Sequence, residues 1–96
     1  MNGLYEKLRD FIIGTGFEEM TLNGGTVFHK DGKFVRIVCC DSQATVELAD
    51  SVHDAENNMY EDIDLYDYAY MREHGFPGDD DIFGEICADI IKYIVN

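Results

Sequence analysis

The sequence predicts an α+β domain: a small antiparallel β-meander of three to four strands flanked by an N-terminal helix and two C-terminal helices, in the order α-β-β-β-β-α-α. Three observations lead there. Apolar residues recur at helical spacing near both ends of the chain, short β-prone runs fill the region between Phe17 and Ala49, and glycine-bearing turn pairs separate those runs. With 96 residues, 46% of them hydrophobic and 12% aromatic, the chain reads as a single domain over residues 1–96. That much apolar surface offsets the ordering entropy of one core and argues against intrinsic disorder.

Leu4, Tyr5, Leu8, Phe11 and Ile12 share one helical face after Asn2, an N-cap residue type, and Gly14 and Gly16 end the pattern, so a helix is expected over residues 3–13. Asn23-Gly24-Gly25 and Asp31-Gly32 then offer the positive φ angles that tight hairpin turns require. Phe34 to Cys40 is apolar on both faces apart from Arg36, the pattern of a central strand. Asp41-Ser42-Gln43 leads to a fourth run, Ala44 to Ala49, with Val46 and Leu48 alternating with Thr45 and Glu47. From Met59 to Met71 two signals compete. Tyrosine favours strands and the residues alternate, yet Asn58 with Glu61 resembles a capping box, and Arg72, His74 and Gly75 suit a helix C-terminus. The boundaries predict a helix, with Met59, Ile63, Tyr66 and Tyr70 inward and Glu61, Asp64, Leu65 and Tyr68 outward. After Phe76-Pro77-Gly78, Asp79, Asp80 and Asp81 stand where a helix dipole favours negative charge. Ile82, Phe83, Ile86, Cys87, Ile90, Ile91 and Ile94 follow as the main core helix.

Thirteen of the twenty acidic residues fall between Asp41 and Asp81, where Arg72 is the only Lys or Arg, whereas residues 1–40 are balanced. A one-sign field of this kind acts chiefly on partners of opposite charge. Direct nucleic-acid binding is disfavoured, because it draws on Lys and Arg contacts to phosphates and the chain has seven such residues against a net charge of −13. Tyr60, Tyr66, Tyr68 and Tyr70 lie within the acidic stretch, and tyrosine faces attract guanidinium groups. The expected partner is therefore a cationic protein, and the expected partner-binding residues are Glu61, Asp62, Asp64, Asp67, Tyr68, Asp79 and Asp80. On the expected helix, carboxylates one turn apart approach the spacing of a phosphate row. A plainer alternative stays open: a solvated acidic face, with tyrosines packed inward and Asp79 to Asp81 serving only the helix N-terminus.

Catalytic chemistry has little support. No nucleophile elbow, phosphate-binding glycine loop or H-E-x-x-H motif occurs, and a Cys39 or Cys40 pair with His29 lacks any supporting context. An EF-hand register starting at Asp54 places Met59 at the required glycine and Leu65 at the bidentate glutamate, so it fails. No enzyme activity, cofactor or metal is expected. Cys39, Cys40 and Cys87 have no C-x-x-C spacing and are expected to be reduced, buried, small hydrophobic residues. With no bilayer-length apolar run and no secretory leader pattern, a cytoplasmic location without membrane contact is expected.

In element order and charge the chain resembles the small acidic inhibitors of phages and mobile elements, the anti-CRISPR proteins that block Cas9 and the antirestriction DNA mimics. The resemblance spans the whole chain without a diagnostic motif. It implies a stoichiometric inhibitor whose acidic side chains occupy a cationic nucleic-acid cleft, where arginines read bases and track phosphates. An immunity protein or antitoxin that neutralises a cationic nuclease toxin would use the same chemistry. An acidic adaptor with no nucleic-acid-related target is a third reading, and the sheet's second face leaves room for a homodimer.

Overall fold

The computed structural model describes residues 3–96 and has the α+β layout expected from the sequence, with an N-terminal helix, an antiparallel sheet and C-terminal helices. In chain order the elements are α1 (Leu4–Gly14), β1 (Glu18–Leu22), β2 (Gly25–Lys30), β3 (Lys33–Cys39), β4 (Gln43–Ala49), α2 (Val52–Glu56), β5 (Glu61–Asp67), α3 (Tyr68–Glu73) and α4 (Asp79–Ile90). α4 runs on through a π-helical turn, Ile91–Val95. The sheet is a meander in the order β1-β2-β3-β4-β5, so it has five strands rather than three or four, with the apolar β3 at its centre. Asn2, the expected cap of α1, lies outside the described residues, and Gly3 occupies the cap position with φ 78°.

Both early hairpins close through two-residue turns. Leu22 pairs with Gly25 across Asn23 (φ 52°) and Gly24 (φ 79°), and Lys30 pairs with Lys33 across Asp31 (φ 51°) and Gly32 (φ 79°). Positive φ at both turn residues matches the right-handed twist of the strands, which is why Asn-Gly and Asp-Gly stand there. Because side chains alternate along a strand, the sheet has two chemically different faces. On one, Phe28, Val35, Ile37, Val46 and Tyr66 pack against Leu4, Leu8 and Ile12 of α1 and Ile82, Ile86 and Ile90 of α4, all buried. On the other, Val27, Phe34 and Ala49 are covered by Ala55 of α2, with Tyr60 beside them. Ser51 caps α2 by accepting the Asp54 N–H at 3.1 Å. Asn23 Nδ2 donates to the Glu56 carbonyl at 2.8 Å, which ties the first hairpin to this short helix.

The segment from Met59 to Met71 departs from the expectation. Residues 61–67 form the edge strand β5 and only Tyr68–Glu73 is helical. The capping box of Asn58 and Glu61 does not form; Asn58 is instead a left-handed turn residue with φ 54°. As a strand the segment pairs with β4 from Gln43↔Asp67 to Leu48↔Glu61 and buries Tyr66, with Ile63 beside it, in the main core. The C-terminal signals hold. Asp67 caps α3 by accepting the Tyr70 N–H at 3.0 Å, and the chain leaves α3 through Gly75 (φ 105°) with Phe76 N–H bonded to the Met71 carbonyl at 2.9 Å. The short helix α3 also reverses two side-chain directions: Tyr68, expected outside, is 2% exposed, and Tyr70, expected inside, is 61% exposed. Cys40 corrects another expectation, being exposed, while Cys39 is half-buried and Cys87 buried. Ile91, counted among the apolar residues of the last helix, is 42% exposed.

Candidate partner-binding groove

β5 runs along the sheet edge beside α3 and α4, and between them opens a groove of about 430 Å³. Its floor and walls are Tyr66 of β5, Tyr70 and Met71 of α3, and Phe76 of the following loop. Carboxylates rim it: Asp64 and Asp67 from β5, and Glu85 and Asp89 from successive turns of α4. A β-bulge shapes the strand side. Val46 pairs with Asp64 and Glu47 with Asp62, which leaves Ile63 as an extra residue that packs on the main core.

One hydrogen bond joins the two walls. The buried Tyr66 hydroxyl donates to Asp89 Oδ2 at 2.9 Å, linking β5 to α4 across the groove floor. Burial raises the pKa of this phenol, and the hydrogen bond to Asp89 with the nearby charges of Asp64 and Glu85 raises it further. The negative field of three rim carboxylates therefore converges on the floor. Tyr68 is likewise pushed up to about 12 by burial.

Most of the chain's own cations are committed elsewhere. Arg36 forms a two-pronged pair with Glu47, Arg72 pairs with Asp79 at 3.1 Å and Lys7 with Asp80 at 3.8 Å. Lys30 and Lys33 donate to the carbonyls of Thr15 and Ile94. Among the described residues, no Lys, Arg or His lies within ion-pair distance of Glu61, Asp62, Asp64, Asp67, Glu85 or Asp89. Asp64 and Asp67 instead accept backbone N–H groups, those of Leu65 at 2.8 Å and Tyr70 at 3.0 Å. The Leu65 bond also withdraws an N–H from strand addition, and acidic side chains and a bulge are the usual guards of a sheet edge.

Of the residues anticipated from sequence, Asp64 and Asp67 meet in the groove. Glu61 and Asp62 stand exposed at the other end of β5, beyond the bulge, with Asp62 on the face that carries Arg36 and Glu47. Asp79 and Asp80 open α4 and pair with Arg72 of α3 and Lys7 of α1, outside the groove lining, while Asp81 accepts the Gly78 N–H at 3.0 Å as a helix-start bond. Tyr68 turns into the core. Glu85, Asp89 and Phe76 were missed, although the four-residue spacing of Glu85 and Asp89 on a strongly periodic helix places them on one face.

The remaining candidate chemistry is dispersed. His29 pairs with Phe34, at the opposite end of β3 from Cys39. Among the described residues no three His, Cys, Asp or Glu side chains converge as a metal site, and no helix is long and apolar enough to cross a membrane. No family model, curated protein or solved structure matches the chain.

Proposed function

We propose that this protein is a stoichiometric binding inhibitor that places its acidic β5 edge and groove in a cationic nucleic-acid-binding cleft of a partner protein, foremost a Cas9-type nuclease. The observation that carries the reading is a set of rim carboxylates left without cations of their own, set around aromatic walls on one edge of a strongly acidic chain. A cleft lined with Lys and Arg to track phosphates attracts such a surface, and long-range attraction accelerates encounter. The rest of the molecule supports this use: α1 and β1 to β3 form a charge-balanced scaffold, and β4 and β5, which open the acidic half of the chain, extend the sheet at one edge of it.

Competition with DNA tests the proposal. The empty or guide-loaded nuclease binds the protein and loses cleavage at one-to-one stoichiometry, while nuclease already holding its target duplex resists. Reversing Glu61 and Asp64 to Lys slows association by about tenfold at low salt and flattens its salt dependence. Equal binding to the DNA-filled enzyme, or an association rate indifferent to both reversals, overturns the proposal.

A further inference from the structure

This chain already contains one guanidinium site, built from its own residues. Arg36 lies over the Tyr60 ring, 4.0 Å from its centroid, while Nε and Nη2 donate to the two oxygens of Glu47 at 3.0 and 3.2 Å. An aromatic face and a carboxylate that accepts the planar fork are the two parts that such a site needs. The groove beside β5 repeats both parts without the cation. Tyr70 supplies an exposed ring, held by stacking on His74 with centroids 3.8 Å apart and planes 11° apart, and His74 Nδ1 is bonded to the Tyr70 carbonyl at 2.7 Å. The half-buried Glu85 and Asp89 face Asp64 across the opening. Arg72, next to the groove in sequence, is drawn away to Asp79.

We infer that the groove is a receptor for an arginine side chain presented by the partner protein, with the guanidinium between the aromatic wall and the Asp64, Glu85 and Asp89 carboxylates. This inference rests on the reading of the partner as cationic and specifies what that partner inserts. Charge complementarity decides the occupant: a second copy of a chain with net charge −13 brings repulsion, whereas an arginine brings the missing cation. Arginine is favoured over lysine because an apolar aromatic wall suits a planar, weakly hydrated ion, while an ammonium group holds its water.

The test is an NMR titration of the full chain with three blocked tripeptides, Gly-Arg-Gly, Gly-Lys-Gly and Gly-citrulline-Gly, the last keeping the shape of arginine without its charge. Saturable shifts are expected for Asp64 to Met71, Phe76, Glu85 and Asp89, with the arginine peptide about tenfold tighter than the citrulline peptide and severalfold tighter than the lysine peptide. The variant Asp64→Asn with Glu85→Gln keeps the acceptor for Leu65 N–H and weakens the charge preference severalfold, and Tyr70→Ala removes the arginine-over-lysine preference. Shifts that do not saturate or spread equally to Asp50, Asp54 and Asp79 to Asp81, or equal affinity for the three peptides, overturn the inference. The two readings fail separately. Nuclease inhibition that survives unchanged in Tyr70→Ala, which keeps every rim carboxylate, sinks the arginine receptor alone, and arginine capture by a protein that never competes with DNA sinks the nuclease assignment alone.

Discussion

Replacing Tyr66 by Phe removes one hydroxyl and keeps the ring, so it isolates the bond that joins β5 to α4. That hydroxyl donates to Asp89 Oδ2 at 2.9 Å from a side chain that is 3% exposed, and the acceptor is a carboxylate. Bonds to charged groups contribute about 1.5–3 kcal/mol. Asp89 is half-buried and borders the groove, so water replaces part of what it loses. The ring remains, and no cavity term of the large-to-small kind is added. The expected loss for Tyr66→Phe is therefore about 1–2 kcal/mol, or roughly 4–16 °C in melting temperature for a domain of this size. Urea unfolding followed by circular dichroism and tyrosine fluorescence reads it, the latter unobscured because the chain has no Trp. A double-mutant cycle with Asp89→Ala separates the bond from either residue's other contacts, and a coupling of about 1 kcal/mol is expected for two directly bonded groups. A coupling below about 0.3 kcal/mol, within the range expected for independent sites, refutes the assignment of this bond as the link across the groove floor.

Alkaline pH should weaken the fold through the buried phenols. Tyr68 is pushed up to about 12 and Tyr66 is raised as well, both chiefly by burial, whereas an unfolded tyrosine ionises near 10.0. The unfolded chain thus releases these protons first, so stability is intact below about pH 10 and falls as pH rises toward the folded-state value, about 12 for Tyr68. Urea midpoints that stay constant over that window, with tyrosinate absorbance showing all six tyrosines ionised in the folded protein, would contradict this. Asn23 has two roles, a turn residue at φ 52° and a donor to the Glu56 carbonyl at 2.8 Å. Asn23→Ala should cost about 1–3 kcal/mol and Asn23→Gly less, because glycine recovers the backbone conformation and loses only the bond to α2. Equal losses for the two variants in chemical denaturation would show that the left-handed conformation contributes nothing.

Much of the fold is written locally in this chain. Asn23-Gly24 and Asp31-Gly32 set their hairpins because positive φ at both turn positions is a property of those residues and their neighbours. The helical periods of Leu4–Leu8–Ile12 and Ile82–Ile86–Ile90 mark α1 and α4 because each buries one face, and the concentration of acid between Asp41 and Asp81 was visible before any folding. The state of residues 61–67 was not local. Their alternation and their flanking caps favour different structures, and the tie is broken by distant contacts, the pairing with β4 and the burial of Tyr66 in the main core. Once β5 is a strand, its period of two sends Tyr66 inward and Leu65 outward, and the turn into α3 buries Tyr68 and frees Tyr70. The groove is a further step removed from sequence, since Asp64 and Asp89 are neighbours only because α4 packs back over the sheet and the Tyr66 hydroxyl holds it there. The sign of the charge, the region that carries it and the two early hairpins follow from composition and turn chemistry, which do not depend on distant contacts. Tertiary structure alone decided which carboxylates converge and which tyrosine meets solvent, because strand pairing and helix docking bring together residues that no local pattern connects.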